Sequence, residues 1–177
     1  MLTPASSQDD FYREAASAYG AALERLAQGY EADPEIRRDL LQDIHIALWR
    51  SFNGFDGRCS LRTWVYRVAH NVAASHVTRQ RRTHSRDLVC LEDVDLLPDA
   101  NKGERAVYRS ESLVRLLALI QQLRPLDRQV MLAYLEGMDA SEIGEITGLS
   151  ASNVATKIHR VKRVLARRFE EGRQDDE

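Results

Sequence analysis

The residues best suited to chemistry in this 177-residue chain are short polar and cationic side chains near its C-terminal end. Between positions 151 and 170 there are six Lys or Arg residues and a single acid, Glu170. Such side chains in the first turns of a helix can donate hydrogen bonds to base edges and phosphates of duplex DNA. The candidates for base reading here are Ser152, Asn153, Thr156, Lys157 and Arg160.

A second cluster of cations lies between positions 61 and 90, where six Arg residues face one acid, Asp87, and aromatic residues are interleaved with them. Cations can follow the backbone of single-stranded nucleic acid, while aromatic rings stack on unpaired bases. The same pattern also fits rings at the edge of a core with arginines that aid solubility. The candidates are Arg62, Trp64, Tyr66, Arg67, His70, Asn71 and Arg79.

Local signals place the C-terminal candidates on the second helix of a helix-turn-helix. Asp139 and Glu142 form an Asp-x-x-Glu capping box. Gly148 can adopt the positive φ that a tight turn needs, and Ser150 caps the next helix. This combination is typical of a motif that places its second helix in the major groove. A plain helical hairpin with a solvated basic face is the alternative.

The rest of the chain has helical periodicity interrupted by turn signals and by one irregular acidic stretch. We therefore predict an all-α protein with two small helical domains, residues 9–82 and 106–170, joined by a flexible linker at 83–105. The helices are predicted to begin near Asp9 or Asp10, Asp33, Ser60, Glu104, Asp127, Asp139 and Ser150, and the first is predicted to end at Gly29.

Enzyme and metal chemistry find little support in the sequence. The five histidines form no ligand motif, and no GxSxG, P-loop or HExxH pattern is present. Cys59 and Cys90 lack a CxxC partner and are too few for a disulfide framework. The start MLTPASSQDD does not resemble a signal peptide, and no apolar run reaches membrane-spanning length. We therefore expect a cytoplasmic protein that is not an enzyme and has no metal, cofactor, small-molecule substrate or membrane span.

Two segments resemble, in order, the two domains of the extracytoplasmic-function (ECF) group of bacterial sigma factors. Asp39–Arg50, DLLQDIHIALWR, followed by Leu61–Arg82, LRTWVYRVAHNVAASHVTRQRR, is similar to sigma domain 2. Residues 123–169, LRPLDRQVMLAYLEGMDASEIGEITGLSASNVATKIHRVKRVLARRF, are similar to sigma domain 4. The chain departs from the group's usual residues at Gly144, where Ala is common, and at Ala155, where a longer polar or basic side chain is common.

The resemblance implies a sigma-70-family subunit that binds core RNA polymerase and directs initiation at promoters of a stress- or envelope-responsive regulon. Domain 2 is then expected to bind the β′ clamp coiled coil and the opening minus-ten element. Domain 4 is expected to bind the β flap and to read the minus-thirty-five element, with Ala155 joining the base-reading set. An anti-sigma factor is a further implied partner. The implied polymerase-binding residues are Asp39, Gln42, Asp43 and Trp49.

The competing hypothesis is a helix-turn-helix repressor or activator whose N-terminal half is a dimerisation or sensing module. It predicts tight binding of the free protein to a palindrome. A second helix rich in cations and aromatic residues has no role in such a module, so the sequence argues against this hypothesis.

Overall fold

The computed structural model of the chain describes residues 7–84 and 111–174, with side chains described at 7–80 and 112–170. This part contains seven α-helices, one short 3-10 helix at Phe52–Gly54 and no strand, which confirms the predicted all-α class. The helices are α1 (Gln8–Tyr30), α2 (Pro34–Ser51), α3 (Leu61–His84), α4 (Glu111–Gln121), α5 (Pro125–Leu135), α6 (Ala140–Thr147) and α7 (Ala151–Gln174).

The predicted linker at 83–105 lies outside the described residues, apart from its first two positions, which continue α3. The predicted start of a helix near Glu104 also lies outside them. We refer to α1–α3 as the N-terminal unit and to α4–α7 as the C-terminal unit.

Helix starts follow local capping chemistry, with three corrections to the sequence-based boundaries. Ser7 rather than Asp9 or Asp10 caps α1, because its Oγ accepts a hydrogen bond from the Asp10 N–H at 3.2 Å. The end of α1 is Tyr30, one residue beyond the predicted Gly29. At α5 the first helical residue is Pro125, whose missing N–H costs nothing at that position, and not Asp127.

The N-terminal unit is a three-helix packing in which each helix contacts the other two. Burying a large aliphatic side chain contributes about 1.5–3 kcal/mol, so the shared interior is the main source of its stability. Trp49, on the outer side of α2, stays 44% exposed. The buried interior includes Leu23, Leu26, Leu40, Ile44, Leu48, Phe52, Val65, Ala69 and Ala73.

In the C-terminal unit, α7 packs along α4, α5 and α6. Its apolar residues recur at helical spacing and point into the unit, which leaves its polar residues outside. The buried residues here are Ile120, Leu123, Val130, Met131, Ile143, Ile146, Val154, Val161 and Leu165.

The two units pack against each other through α1 and α3 on one side and α4, α5 and α6 on the other. Leu132 of α5 lies directly over Gly29 of α1, and a Cβ atom at position 29 would be only 2.4 Å from its Cδ2. The Arg128 guanidinium carbon stands 5.4 Å from the centre of the Tyr30 ring. The contact between the units is therefore close at Gly29, where an added Cβ atom would require the Leu132 side chain to move.

Candidate nucleic-acid interface

The helix-turn-helix has the geometry that its local signals predict. Asp139 Oδ1 accepts hydrogen bonds from the N–H groups of Ser141 and Glu142, and Glu142 Oε2 accepts one from the Asp139 N–H at 2.8 Å. Gly148 ends α6 with φ at 77°, a left-handed conformation that glycine adopts without strain. The Ser150 hydroxyl accepts the Asn153 N–H at 3.3 Å and so caps α7.

Gly144 has a packing role in this turn. A Cβ atom built at that position would lie 2.7 Å from the carbonyl oxygen of Leu149, a backbone atom that cannot rotate away. The Ala that is common in the ECF group at this position would therefore force the turn apart. Gly144 therefore allows α6 to approach the backbone of the turn closely.

The first turns of α7 present an open polar row. Asn153, Thr156 and Arg160 are spaced three and four residues apart, so they lie on one face of the helix. Lys157 is the exception among the predicted base readers, because it is only partly exposed. The exposed members of the predicted set are Ser152, Asn153, Ala155, Thr156 and Arg160.

A nearly buried carboxylate from α5 lies beside this row. The Asp127 side chain is 9% exposed, and its Oδ1 is 2.6 Å from Lys157 Nζ and 3.4 Å from Arg160 Nη2. Its Oδ2 is 3.6 Å from Arg124 Nε. Asp127 was not among the predicted site residues, since it is 30 positions away from Lys157 and no local pattern links them.

On α3 the predicted strand-binding residues are divided between surface and interior. Asn71 and Arg79 are exposed, and Arg62, Trp64 and Arg67 are partly buried. The Trp64 indole donates a hydrogen bond to Ser51 Oγ at 2.9 Å and its ring lies 5.2 Å from that of Phe55. Trp64 therefore also holds α3 against the end of α2.

The predicted placement of Tyr66 and His70 on the free face of α3 is wrong. Tyr66 is 2% exposed and His70 is 0% exposed. His70 Nδ1 is 3.0 Å from the Tyr30 hydroxyl, and burial lowers the pKa of His70 to about 3. In this arrangement neither ring is available to a base. Tyr66, His70 and Ala73 are spaced four and three residues apart and so lie on one stripe of the helix. This spacing could have predicted that both rings are buried.

Two cations on α3, Arg62 and Arg67, contact the C-terminal unit. Arg62 donates to the Glu136 carbonyl at 2.7 Å and lies 3.4 Å from Glu142 Oε1. Arg67 donates to the Glu145 carbonyl at 2.7 Å. Beside them, the buried Thr63 hydroxyl donates to Glu145 Oε2 at 3.3 Å. This edge of α3 is therefore covered by the segment from the end of α5 to the end of α6.

Glu136 is the centre of this contact, and no sequence pattern predicted its role. Its two carboxylate oxygens each accept a hydrogen bond from Arg25 at 2.7 Å, a bidentate pair with α1. The Tyr66 hydroxyl donates to the same carboxylate at 3.3 Å. Burial is the main cause of the raised pKa of Tyr66, to which the nearby Glu136 charge also contributes. Glu136 thus joins α1, α3 and the C-terminal unit.

The predicted polymerase-binding residues lie together on the outer face of α2. Asp39, Gln42 and Asp43 are exposed, and the Trp49 indole donates to Asp9 Oδ1 at 2.9 Å. Asp43 lies 3.8 Å from Arg79 of α3, which brings together two residues that were assigned to different partners.

The described residues contain no group of three or more His, Cys, Asp or Glu side chains arranged to hold a metal ion. Within the same residues, none of the helices combines the length and apolar character that crossing a membrane requires.

Family models match both halves of the chain. Residues 15–83 match Sigma-70 region 2 and residues 113–165 match Sigma-70, region 4. The order and spacing of the two matches are those of the segments that carry the resemblance noted from sequence.

Among curated proteins, the ECF RNA polymerase sigma factor SigX of Bacillus subtilis is 31% identical over 156 residues, which are 82% of this chain and 78% of SigX. The RNA polymerase sigma-H factor of Pseudomonas aeruginosa is 30% identical over 141 residues, 75% of this chain and 72% of that protein.

Two solved structures share the fold. CnrH in complex with the cytosolic domain of CnrY has a TM-score of 0.66 at 20% identity, covering 93% of this chain and 90% of that chain. RpoE of Bartonella quintana with the anti-sigma factor NepR has a TM-score of 0.66 at 21% identity, covering 89% and 94%. The chain belongs to the sigma-70 family and is an extracytoplasmic-function RNA polymerase sigma factor, one of a group of non-enzymatic transcription initiation factors.

Proposed function

We propose that the polar row of α7 reads the minus-thirty-five promoter element as duplex. Ser152, Asn153, Thr156 and Arg160 are exposed on consecutive turns at the N-terminal half of a helix whose apolar side is buried. Ala155 shares the exposed surface but offers only a methyl group, which suits contact with a thymine methyl. This open row beside a well-capped turn is the observation that carries the proposal.

The minus-ten element is captured as single strand by α3, through Arg62, Trp64, Arg67, Asn71 and Arg79. His70 leaves this set because it is buried against Tyr30 of its own unit. Tyr66 is buried in the closed chain beside Glu136 of the C-terminal unit, so it joins the set only if separation of the units exposes it. The arginines supply charge along a backbone, and the indole supplies a ring for stacking. Among these five, Arg62 and Arg67 donate to the C-terminal unit, so strand capture requires that the two units separate.

Separation of the units is the conformational step of this function. In the closed arrangement the two units are in contact. Glu142 and the backbone carbonyl oxygens of Glu136 and Glu145 then bind α3 arginines that a DNA strand would otherwise contact. A partner that binds the separated units better than the closed chain shifts the population towards the open state. Core RNA polymerase, bound at two well-separated surfaces, has that property.

Core polymerase binds the outer face of α2 through its β′ clamp coiled coil, and the C-terminal unit through its β flap. Asp39, Gln42 and Asp43 supply hydrogen-bonding groups on α2. Trp49, with Ile46 at 42% exposure, supplies apolar surface beside them. Trp is among the residues most enriched in binding hot spots, so Trp49 is the expected anchor of this surface.

An anti-sigma factor is the expected regulator, since both structural relatives were solved with such a partner or with a cytosolic domain. It would hold the chain closed and away from polymerase until a stress or envelope signal releases it. The protein then acts in the cytoplasm, where bacterial polymerase works. The repressor or activator hypothesis is not favoured, because region 2 and region 4 both match in order.

The test is reconstitution of purified core polymerase with and without the full chain on a promoter library. We expect co-elution with core and new transcripts that start downstream of a shared pair of elements. Binding of the free chain to a palindrome, with no co-elution and no new transcript, would instead support the repressor hypothesis.

A further inference from the structure

Asp127 is a nearly buried carboxylate that three cations share. Lys157 and Arg160 approach the same oxygen, at 2.6 and 3.4 Å, and Arg124 approaches the other at 3.6 Å. A carboxylate in such a position is stable only if it is paired and hydrogen-bonded. Two of the three cations belong to the segment of α7 that was predicted to read bases.

These two cations differ in how far their side chains remain exposed and able to contact DNA. The Lys157 side chain is 22% exposed and its single ammonium group is held by Asp127, directed into the C-terminal unit. The Arg160 side chain is 56% exposed and contacts Asp127 through Nη2. Because a guanidinium has five donors in a fixed plane, Arg160 can bind Asp127 on one edge and DNA on another.

We propose that Asp127 is a positioning residue that sets the specificity of upstream-element recognition. It holds Lys157 back from the phosphates and fixes the plane of Arg160 beside Asn153 and Thr156. Without this carboxylate, Lys157 becomes an additional phosphate contact that carries no sequence information, and Arg160 loses its fixed orientation. The proposal rests on the assignment of α7 to the minus-thirty-five element.

The change that tests this is Asp127→Asn in the full chain, assayed on duplex DNA with the preferred upstream element and with a scrambled one. We expect tighter binding to scrambled DNA and a salt dependence of log K steeper by about 1, the value for one added phosphate contact. Preference for the upstream element should fall by about tenfold, the size of one good base contact.

Three further variants sharpen the test. Adding Lys157→Met to Asp127→Asn should return the salt dependence to that of the wild type while the preference stays reduced. Asp127→Glu, which keeps the charge, should keep the wild-type salt dependence. Glu14→Gln makes the same acid-to-amide change at an exposed position on α1 and should change neither quantity.

A second measurement does not depend on DNA. Acylation of lysines by a small amine-reactive reagent, followed by mass spectrometry, should be several-fold slower at Lys157 than at the exposed Lys162 in the wild type. The difference should disappear in Asp127→Asn.

Equal reactivity of the two lysines in the wild type would overturn the proposal. So would a variant that only lowers the melting temperature while specificity and salt dependence stay unchanged, since Asp127 would then be a stabilising residue alone. Absence of any preference for an upstream element in wild-type holoenzyme would instead contradict the proposed function. Even then, the acylation rates of Lys157 and Lys162 would show whether Asp127 and Lys157 form an ion pair.

Discussion

Two basic helices of the same length, α3 and α7, differ in where their cations find partners. Each has 24 residues and an arginine-rich polar side. Lys157 and Arg160 of α7 pair with Asp127 inside their own unit, and the polar row of Asn153, Thr156 and Arg160 stays exposed. Arg62 and Arg67 of α3 instead donate to the other unit, at Glu136 and Glu145.

The two proposed DNA-binding surfaces therefore differ in how they depend on the arrangement of the units. The α7 row depends only on the fold of its own unit, so it is available whether the units are together or apart. Two of the proposed α3 residues, Arg62 and Arg67, are released from their contacts only when the units separate. Under the proposed function, we expect the closed chain to bind duplex DNA and the opened chain to hold an unpaired strand.

The largest expected effect comes from a side chain at the point where the units touch. Gly29→Leu places a side chain where a Cβ atom alone would lie 2.4 Å from Leu132. Overpacking costs about 1–3 kcal/mol, so the closed-to-open ratio should fall by up to about a hundredfold. Binding of the free chain to a single-stranded minus-ten oligonucleotide, measured by fluorescence anisotropy, should tighten by a similar factor.

The matched control is Gly20→Leu, which makes the same change in the same helix where an added Cβ meets nothing within 4 Å. It should leave binding to the single strand unchanged. If both variants bind the oligonucleotide as the wild type does, the α3 surface is not covered in solution.

The next largest effect concerns α7. Arg160→Ala should weaken binding to duplex DNA with the upstream element by about tenfold, the cost of one specific base contact. The factor should be the same in the Gly29→Leu background, because the α7 row does not depend on how the units are arranged. Arg13→Ala removes an exposed arginine from α1 and serves as control. A loss that appears only in the Gly29→Leu background would show that the α7 row is also covered.

The third prediction concerns how protein stability depends on pH, which we expect the buried His70 of α3 to determine. The folded-state pKa of His70 is lowered to about 3, whereas the unfolded value is about 6.5. The unfolded chain therefore binds a proton that the folded chain cannot, and stability falls as the pH drops from about 6.5 towards 3. Between pH 7.5 and 6 the free energy of unfolding should decrease by about 1 kcal/mol.

Thermal unfolding across this range measures the effect. His70→Gln should flatten the dependence on pH even though it lowers stability overall, and His159→Gln, at an exposed position of α7, should leave it intact. An unaltered pH dependence in His70→Gln would indicate that another group, such as His45, whose pKa burial also lowers, is responsible.

The smallest effect is expected from Glu136→Gln, which removes the charge that Arg25 binds at 2.7 Å. Arg25 is 56% exposed, so solvent screening limits the contribution of this pair. Binding of the free chain to the single-stranded oligonucleotide should tighten about threefold, with Glu14→Gln unchanged. A larger effect than that of Gly29→Leu would mean that charge, and not packing, holds the units together.

The parts of this molecule that could be predicted from sequence are those with local causes. The Asp139 and Glu142 capping box, Gly148 and the Ser150 cap all act within four residues, and the structure has each of them. The all-α class follows in the same way from helical periodicity.

The missed features have causes that are distant in sequence. Glu136 meets Arg25 across 111 positions, and no local pattern marks either residue. Tyr66 and His70 were assigned to the DNA-binding set because aromatic and cationic residues are interleaved there, yet both are buried and the hydroxyl of Tyr30 provides a partner for His70. Residue type alone therefore does not predict whether a side chain is exposed when another helix supplies its hydrogen-bond partner.

We expect transcription to require opening, because Arg62 and Arg67 of α3 are bound by the C-terminal unit in the closed chain. The most direct measurement locks the chain with a short, reducible bismaleimide between cysteines introduced by Arg25→Cys and Glu136→Cys, in a chain with Cys59→Ser and Cys90→Ser. The wild-type side chains at these two positions pair at 2.7 Å and lie outside the proposed DNA-binding sets. We expect the locked chain to bind duplex upstream DNA but to give no promoter-dependent transcript with core polymerase, and reduction of the cross-link to restore transcription. Equal transcription from the locked and the reduced chain would contradict the claim.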